Sequence, residues 1–218
     1  MTLSEEDYIK AVYHLGKGES TTVSTNAIAE QMATKPSSVT DMVRKLSEKG
    51  LVNYRKYKGA SLTEIGIKTA LTLVRKHRLW EVFLVEKLDF LWDEVHDVAE
   101  QLEHIKSEKL IDRLDKHLGF PEVDPHGDPI PSKKGKFKKS VKKLLNEIPI
   151  GATGVCVGVK DSSPPFLKFL DKNAIALGDS ITVLDKEEFD SSLHIKIKRK
   201  EIHISNEIAA NLYLKITE

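Results

Sequence analysis

Residues 35–63, "KPSSVTDMVRKLSEKGLVNYRKYKGASLT", decide how this chain folds. Pro36 and Ser37 mark a helix start, because proline has a helical φ and no amide to leave unpaired in a first turn. Gly50 marks the end, where the chain must turn left-handed. Between them Val39, Met42, Val43 and Leu46 recur at helical spacing and predict one buried stripe. The remainder, "LVNYRKYKGASLT", reads as two short strands around a basic turn at Lys58-Gly59. Upstream, "SEEDYIKAVYHLGK" (4–17) predicts an opening helix, with Ser4 as N-cap, acids in the first turn and Tyr8, Ile9, Val12, Tyr13 and Leu15 as its apolar face. "STNAIAEQMA" (24–33) predicts a second, short helix with Ala27, Ile28 and Met32 inward. Three helices followed by a hairpin, with a tight turn before the third helix, is the winged helix-turn-helix order.

The charge of this segment agrees. The chain as a whole carries a net charge of only +1. Yet Lys35, Arg44, Lys45, Lys49, Arg55, Lys56 and Lys58 face only Asp41 and Glu48 within 24 residues. Clustered basic side chains neutralise phosphates and release counterions, the main source of non-specific affinity for nucleic acid. Ser37, Ser38, Thr40 and Asp41 lie at the start of the recognition helix, where side chains reach phosphates or base edges. Arg55, Lys56 and Lys58 sit where a wing touches backbone. Tyr54 and Tyr57 have two readings, stacking on sugar or packing the wing, and packing is expected. A charge run is often no more than a solvated face; the ordered helix–turn–helix–hairpin context favours DNA.

Downstream, a long helix is predicted from Glu64 to about Phe83 and a further helical block over about 93–118. "FPEVDPHGDPIPSKKGK" is loop by its proline and glycine content. Past about residue 140 come short β-rich runs, "TGVCVGVKD", "SITVLD", "SLHIKIKRK", "EIHISNEIA" and "LYLKIT", with one short helix at "PPFLKFLDKNA". They predict a small antiparallel barrel. The divisions are 1–74, 75–138 and 139–218: a winged domain, a helical domain and a β-rich tail, so the fold class is mainly α with a β-rich C-terminus.

The 218 residues are 40% hydrophobic, enough for real cores. No apolar run approaches the roughly 18 residues of a membrane span. The acidic N-terminus lacks an apolar signal core, and the single cysteine, Cys156, fits a reducing compartment, so a cytoplasmic protein without a membrane partner is expected. Cys156 lies within "GVCVGV" and is expected to be core.

Chemistry concentrates in "HDVAEQLEH" (96–104). His96, Glu100, Glu103 and His104 have the i, i+4, i+7, i+8 spacing of one helical face. His77 and Glu81 are a second i, i+4 pair, and Asp124 and His126 stand in a Pro/Gly loop. Imidazole and carboxylate without thiolate is a ligand set for Mn²⁺, Fe²⁺ or Zn²⁺. The bland alternative is a solvated charged helix. No nucleophile elbow, phosphate-binding glycine loop or zinc-protease motif is present, and no enzyme is expected.

"KPSSVTDMVRKL", "RKHRLWEVFL", "VHDVAEQLEHIKSEKLIDRL" and "DPHGDPIP" together resemble the metal-dependent repressors of the diphtheria toxin repressor and manganese transport regulator family. The likeness extends through the tail, which resembles the SH3-like, FeoA-type domain of longer members. The resemblance implies a homodimer that binds palindromic operator DNA when Mn²⁺ or Fe²⁺ is bound. It implies a primary site of Asp7, Glu100, Glu103 and His104, and an ancillary site of Glu81, Asp124 and His126 completed by Asp161. His77 and His96 belong to the ancillary set in the iron-repressor pattern. Family members responsive to iron tend to have methionine and cysteine where this chain has Asp7 and Glu100, and oxygen ligands favour Mn²⁺. Lys10 departs from the two-domain manganese regulators, which place a glutamate there for a second, adjacent metal. The rival reading is a constitutive winged-helix regulator whose C-terminal barrel binds a protein or peptide.

Overall fold

The computed structural model describes residues 1–18, 20–138 and 141–216; the expected boundary at residue 139 lies outside them. The chain forms two compact units that are not contiguous in sequence. The first comprises Met1–Trp80, Ala99–Leu114 and Pro131–Phe137; the second comprises Glu81–Val98, Asp115–Ile130 and Lys138–Glu218.

In the first unit, α1 (Leu3–Leu15), α2 (Thr25–Gln31) and α3 (Pro36–Glu48) precede an antiparallel hairpin of β1 (Val52–Arg55) and β2 (Gly59–Leu62). The apolar stripes meet as predicted: Ile9, Ile28, Val39, Val43, Leu46 and Leu62 are all essentially without exposed surface. Burial of such side chains contributes on the order of 1.5–3 kcal/mol each. Met42 is only partly buried. Gly59 is obligatory. Its φ is +114°, and a Cβ there would lie 2.1 Å from the Val23 carbonyl oxygen, with which Ala60 forms a bridge. Tyr57 departs from expectation. It stands at the wing tip with positive φ and is 93% exposed, with the Lys56 ammonium over its ring at 4.9 Å, so it is no part of the wing's core.

Three other features differ from the sequence reading. Helix α1 begins one residue early because Thr2, rather than Ser4, is its N-cap: Thr2 Oγ1 accepts from the Glu5 amide, and Glu5 accepts from the Thr2 amide. This reciprocal box satisfies two otherwise unpaired amides. Helix α4 runs Glu64–Leu88, past Phe83. The block read as one helix is two, α5 (Val95–Leu102) and α6 (Glu108–His117), separated by a turn. No helix is long and apolar enough to cross a membrane among the described residues.

The second unit holds a six-stranded antiparallel sheet. Its strands are β3 (Lys143–Leu144), β4 (Thr153–Val159), β5 (Ser180–Lys186), β6 (Leu193–Ile197), β7 (Lys200–Ile204) and β8 (Leu212–Ile216), ordered β3-β8-β4-β5-β6-β7. Helix α7 (Pro164–Lys172) follows β4, and the short α8 (Asn206–Ala209) precedes β8. Alternating residues Ile181 and Val183, and Leu193, Ile195 and Ile197, fill the core with Leu167 and Leu170 of α7. Cys156 sits in that core, and burial pushes its thiol up to about 11, which makes it unreactive.

Candidate metal centres and nucleic-acid face

The first centre lies in the first unit, where α1 meets the end of α5. The helix stops at Leu102, so Glu103 and His104 leave it in the following turn rather than continuing one face with Glu100. That turn swings His104 between two acids of α1. Its Nδ1 lies 2.7 Å from Glu6 Oε2, and its Nε2 lies 3.1 Å from Asp7 Oδ1. Ligand atoms of Asp7, Glu103 and His104 all lie within 4.8 Å of one another. Glu103 has no exposed surface, and among the described residues its Oε1 has no hydrogen-bond partner. Its other oxygen, Oε2, is crowded by Lys10 Nζ at 2.5 Å and His77 Nδ1 at 2.6 Å. Lys10 Nζ also donates to Glu100 Oε1 at 2.6 Å. Partial burial raises the Asp7 carboxyl, and the charges of Glu100 and Glu103 add to this; His104 and Lys10 oppose it.

An orphaned buried carboxylate oxygen is costly unless something positive reaches it. Asp7, Glu103 and His104 offer two carboxylates and an imidazole in one small space, a donor set that fits a hard or borderline divalent cation. Glu6 suits the supporting role: accepting a hydrogen bond from His104 Nδ1–H leaves Nε2 as the ligand atom facing Asp7. Nothing in the sequence singles out Glu6; an acid beside a ligand carries no signal that separates it from a first-turn helix acid.

The second centre lies in the second unit. Ligand atoms of Glu81, Asp124 and His126 also fall within 4.8 Å of one another, and all three residues are buried. Asp124 Oδ1 accepts the amides of His126 at 2.9 Å and Asp128 at 3.0 Å, which shapes the loop. The loop is fastened to β4: the His126 carbonyl accepts from the Val159 amide, and a Cβ on Gly127 would lie 2.1 Å from the Val157 oxygen. His126 Nε2 is 2.7 Å from the Trp92 carbonyl, which can only accept. The proton therefore sits on Nε2, and the Nδ1 lone pair faces Glu81 Oε1 at 3.8 Å. His96 is exposed on α5 with Nδ1 at 3.8 Å from the same Glu81 oxygen. Asp161 is not brought into this trio; it accepts from the Ser163 amide at 2.8 Å, at the start of α7. His77 stands in the first centre, against Glu103.

On the prospective DNA face, Lys35, Ser37, Ser38, Asp41, Arg44, Lys45, Arg55, Lys56 and Lys58 are exposed, and Thr40 is half-buried with its hydroxyl bonded to the Pro36 carbonyl at 3.0 Å. Lys45 and Lys49 also reach back to α1. They hold the Glu5 carboxylate at 2.9 Å and 2.7 Å. Glu5 has no exposed surface. The Lys49 and Lys45 ammonium groups, with the Thr2 amide, hold its carboxyl at about 2.

Comparison with known proteins meets this geometry from three sides. Residues 1–60 match the iron dependent repressor N-terminal DNA binding domain, 63–132 the iron dependent repressor metal binding and dimerisation domain, and 143–216 the FeoA domain. A solved structure described as a manganese-dependent transcriptional repressor in complex with manganese superposes with a TM-score of 0.84 at 34% identity, over 98% of this chain and 100% of that one. The transcriptional regulator MntR of Oceanobacillus iheyensis is 41% identical over 52% of this chain and 76% of its own. The iron-dependent repressor IdeR of Mycobacterium tuberculosis is 36% identical over 58% of this chain and 54% of its own. Winged helix, buried carboxylate–imidazole centres and FeoA domain together define the class of metal-dependent, DNA-binding transcriptional repressors. Within that class, the chain belongs to the diphtheria toxin repressor and manganese transport regulator family, in its three-domain form.

Proposed function

We propose that this repressor is activated by Mn²⁺, with Asp7, Glu100, Glu103 and His104 as its primary ligands and Glu81, Asp124 and His126 as an ancillary site. Asp161 and His96 are further ancillary ligands, supplied by side-chain movement; His77 acts at the primary site through Glu103. The observation that carries the reading is the orphaned Glu103 Oε1 beside Asp7 and His104. Oxygen at Asp7 and Glu100 favours Mn²⁺; Fe²⁺ shares enough of the same ligand preference to compete, and Zn²⁺ binds such sites in vitro. Solved relatives carry Cd²⁺ and Zn²⁺ as well as manganese.

Lys10 sets the number of cations. Its ammonium already lies between Glu100 and Glu103, so a second ion beside the first meets a fixed positive charge. The primary site therefore holds one metal. Binding offsets repulsion among the acids of α1 and the α5 turn and ties the two segments together. In a homodimer this fixes the spacing of the two recognition helices for two half-sites of operator DNA. Metal raises DNA affinity by favouring one conformation, without touching DNA. The protein acts in the cytoplasm on genes of metal homeostasis.

The test is an operator-binding titration with Mn²⁺ and with chelator. DNA affinity is expected to rise with Mn²⁺ and to lose that response in Asp7→Ala and Glu103→Ala, with circular dichroism unchanged. Equal affinity in chelator and in Mn²⁺ would sink the gate and leave a constitutive regulator.

A further inference from the structure

His126 is held by a carbonyl that itself needs support. As an ancillary ligand it binds through Nδ1, which requires its Nε2 proton to be kept by the Trp92 carbonyl at 2.7 Å. Such a bond fixes the tautomer and the orientation of the ring, and its loss weakens metal binding by about ten- to a hundredfold. Yet Trp92 belongs to residues 89–94, which join α4 to α5 and lie in no helix or strand. Regular hydrogen bonding does not fix the backbone there; side chains do.

The indole of Trp92 is partly buried against the core of the β-rich domain. Its ring lies parallel to the His126 imidazole, with centroids 6.4 Å apart and planes inclined by 13°. Its Nε1 donates to Asp171 Oδ2 at 3.1 Å. The next residue, Asp93, has a side chain only 4% exposed and reaches Lys168 Nζ at 3.5 Å. Lys168 and Asp171 are three apart on α7 and project from one face of that helix. Helix α7 therefore clasps two successive residues of the connection, each through a charged group. All of these residues lie in the second unit.

We propose that α7 sets the cation affinity of the cluster of Glu81, Asp124 and His126 through Trp92, a positioning residue. Asp171 holds the indole, the indole holds the backbone, and the Trp92 carbonyl holds His126 with Nδ1 turned toward Glu81. The proposal rests on the ancillary site proposed above. It gives the C-terminal domain a part in metal binding that needs no ligand from α7.

Full-length protein is titrated with Mn²⁺ by calorimetry as wild type, Trp92→Phe, Asp171→Ala and the double variant, with Glu81→Gln marking which binding step is ancillary. Trp92→Phe keeps a ring and loses the N–H donor, and Asp171 is exposed, so both variants should fold. Each single variant is expected to weaken the ancillary step by about three- to tenfold and to leave the primary step unchanged. The double variant should lose no more than either single one, because both changes break the same bond. Trp80 and Trp92 are the two tryptophans, so in a Trp80→Phe background the emission of Trp92 should change during the ancillary step alone. Wild-type affinity in either single variant, losses that multiply in the double variant, or emission that follows the primary step overturns the proposal. If Glu81→Gln binds as many ions as wild type, the ancillary site itself is refuted and this proposal falls with it.

Discussion

Glu5 and Glu103 are both carboxylates without exposed surface, and they meet the cost of burial in opposite ways. Glu5 is fully provided for by Lys45, Lys49 and the Thr2 amide. Glu103 shares one oxygen with Lys10 and His77 and leaves the other unpartnered. The first arrangement is closed by its partners, and the second leaves a buried oxygen open. For Glu5 the pH consequence has a definite sign. Its carboxyl falls from 4.5 to about 2 on folding, so its stabilising contribution is complete above about 4.5 and is lost as pH drops toward 2. Urea midpoints of wild type and Glu5→Gln should differ most at neutral pH and converge between pH 4.5 and 2; a constant difference across that window would refute the assignment. Lys10 gives a second residue-scale prediction. Removing one partner of a buried ion pair costs about 3–5 kcal/mol. Lys10→Met should approach that loss in chelator and recover part of it in Mn²⁺, because a metal cation can then occupy the vacated place between Glu100 and Glu103. Chemical denaturation in both conditions reads this directly. Glu103 and His104 draw notice in the sequence because histidines and acids cluster there, and Asp7 only through the resemblance to a known family; the structure brings the ligand atoms of these three together, without Glu100. Glu5 is not legible: the lysines that bury it lie some forty residues away and look like DNA-binding cations.

At the scale of elements, periodicity locates every helix of the winged fold, and the errors fall at ends. Ser4 and Thr2 are both acceptable caps, and the choice turns on which one has a glutamate three residues on; Thr2–Glu5 completes the box. Thr2→Ala should therefore cost about 1 kcal/mol, seen as a lower urea midpoint, whereas Ser4→Ala should be near neutral. The break after Leu102 is not legible. "QLEHIKSEKL" contains no proline or glycine, and its amphipathic period carries through the turn. Ser107 marks a new helix start instead, its hydroxyl accepting from the Leu110 amide at 3.3 Å. The consequence is local but decisive for the cluster, because in leaving the helix His104 comes between Glu6 and Asp7. On the DNA side, α3 and the wing present separate exposed cations. Deleting a cation that neutralises one phosphate should make the slope of log affinity against log salt shallower by about 0.9. Lys58→Ala should do this without changing the preferred sequence, and Arg44→Ala should weaken binding more selectively; fluorescence anisotropy across a salt series distinguishes the two.

For the whole molecule, the change of composition past residue 140 announces the β-rich tail, but linear position does not reveal how compact units are assembled. Segments 99–114 and 131–137 join the first unit, and 115–130 joins the second. Those memberships rest on packing between segments distant in sequence, which local pattern does not encode. They matter because each unit contains a cluster of three residues whose ligating atoms could hold a metal: Asp7, Glu103 and His104 in the first, Glu81, Asp124 and His126 in the second. A ligand that binds only the folded state stabilises by about 2.7 kcal/mol at one hundred times its dissociation constant. Manganese should accordingly slow amide exchange in two separable sets. Glu103→Gln should abolish protection around α1 and the turn after α5 while sparing the loop from Glu122 to Ile130, and Glu81→Gln should do the converse. Hydrogen exchange followed by mass spectrometry resolves these peptides. Loss of both sets in either single variant would show that the two clusters fill as one unit, and the division of labour between a primary and an ancillary cation would fall with it.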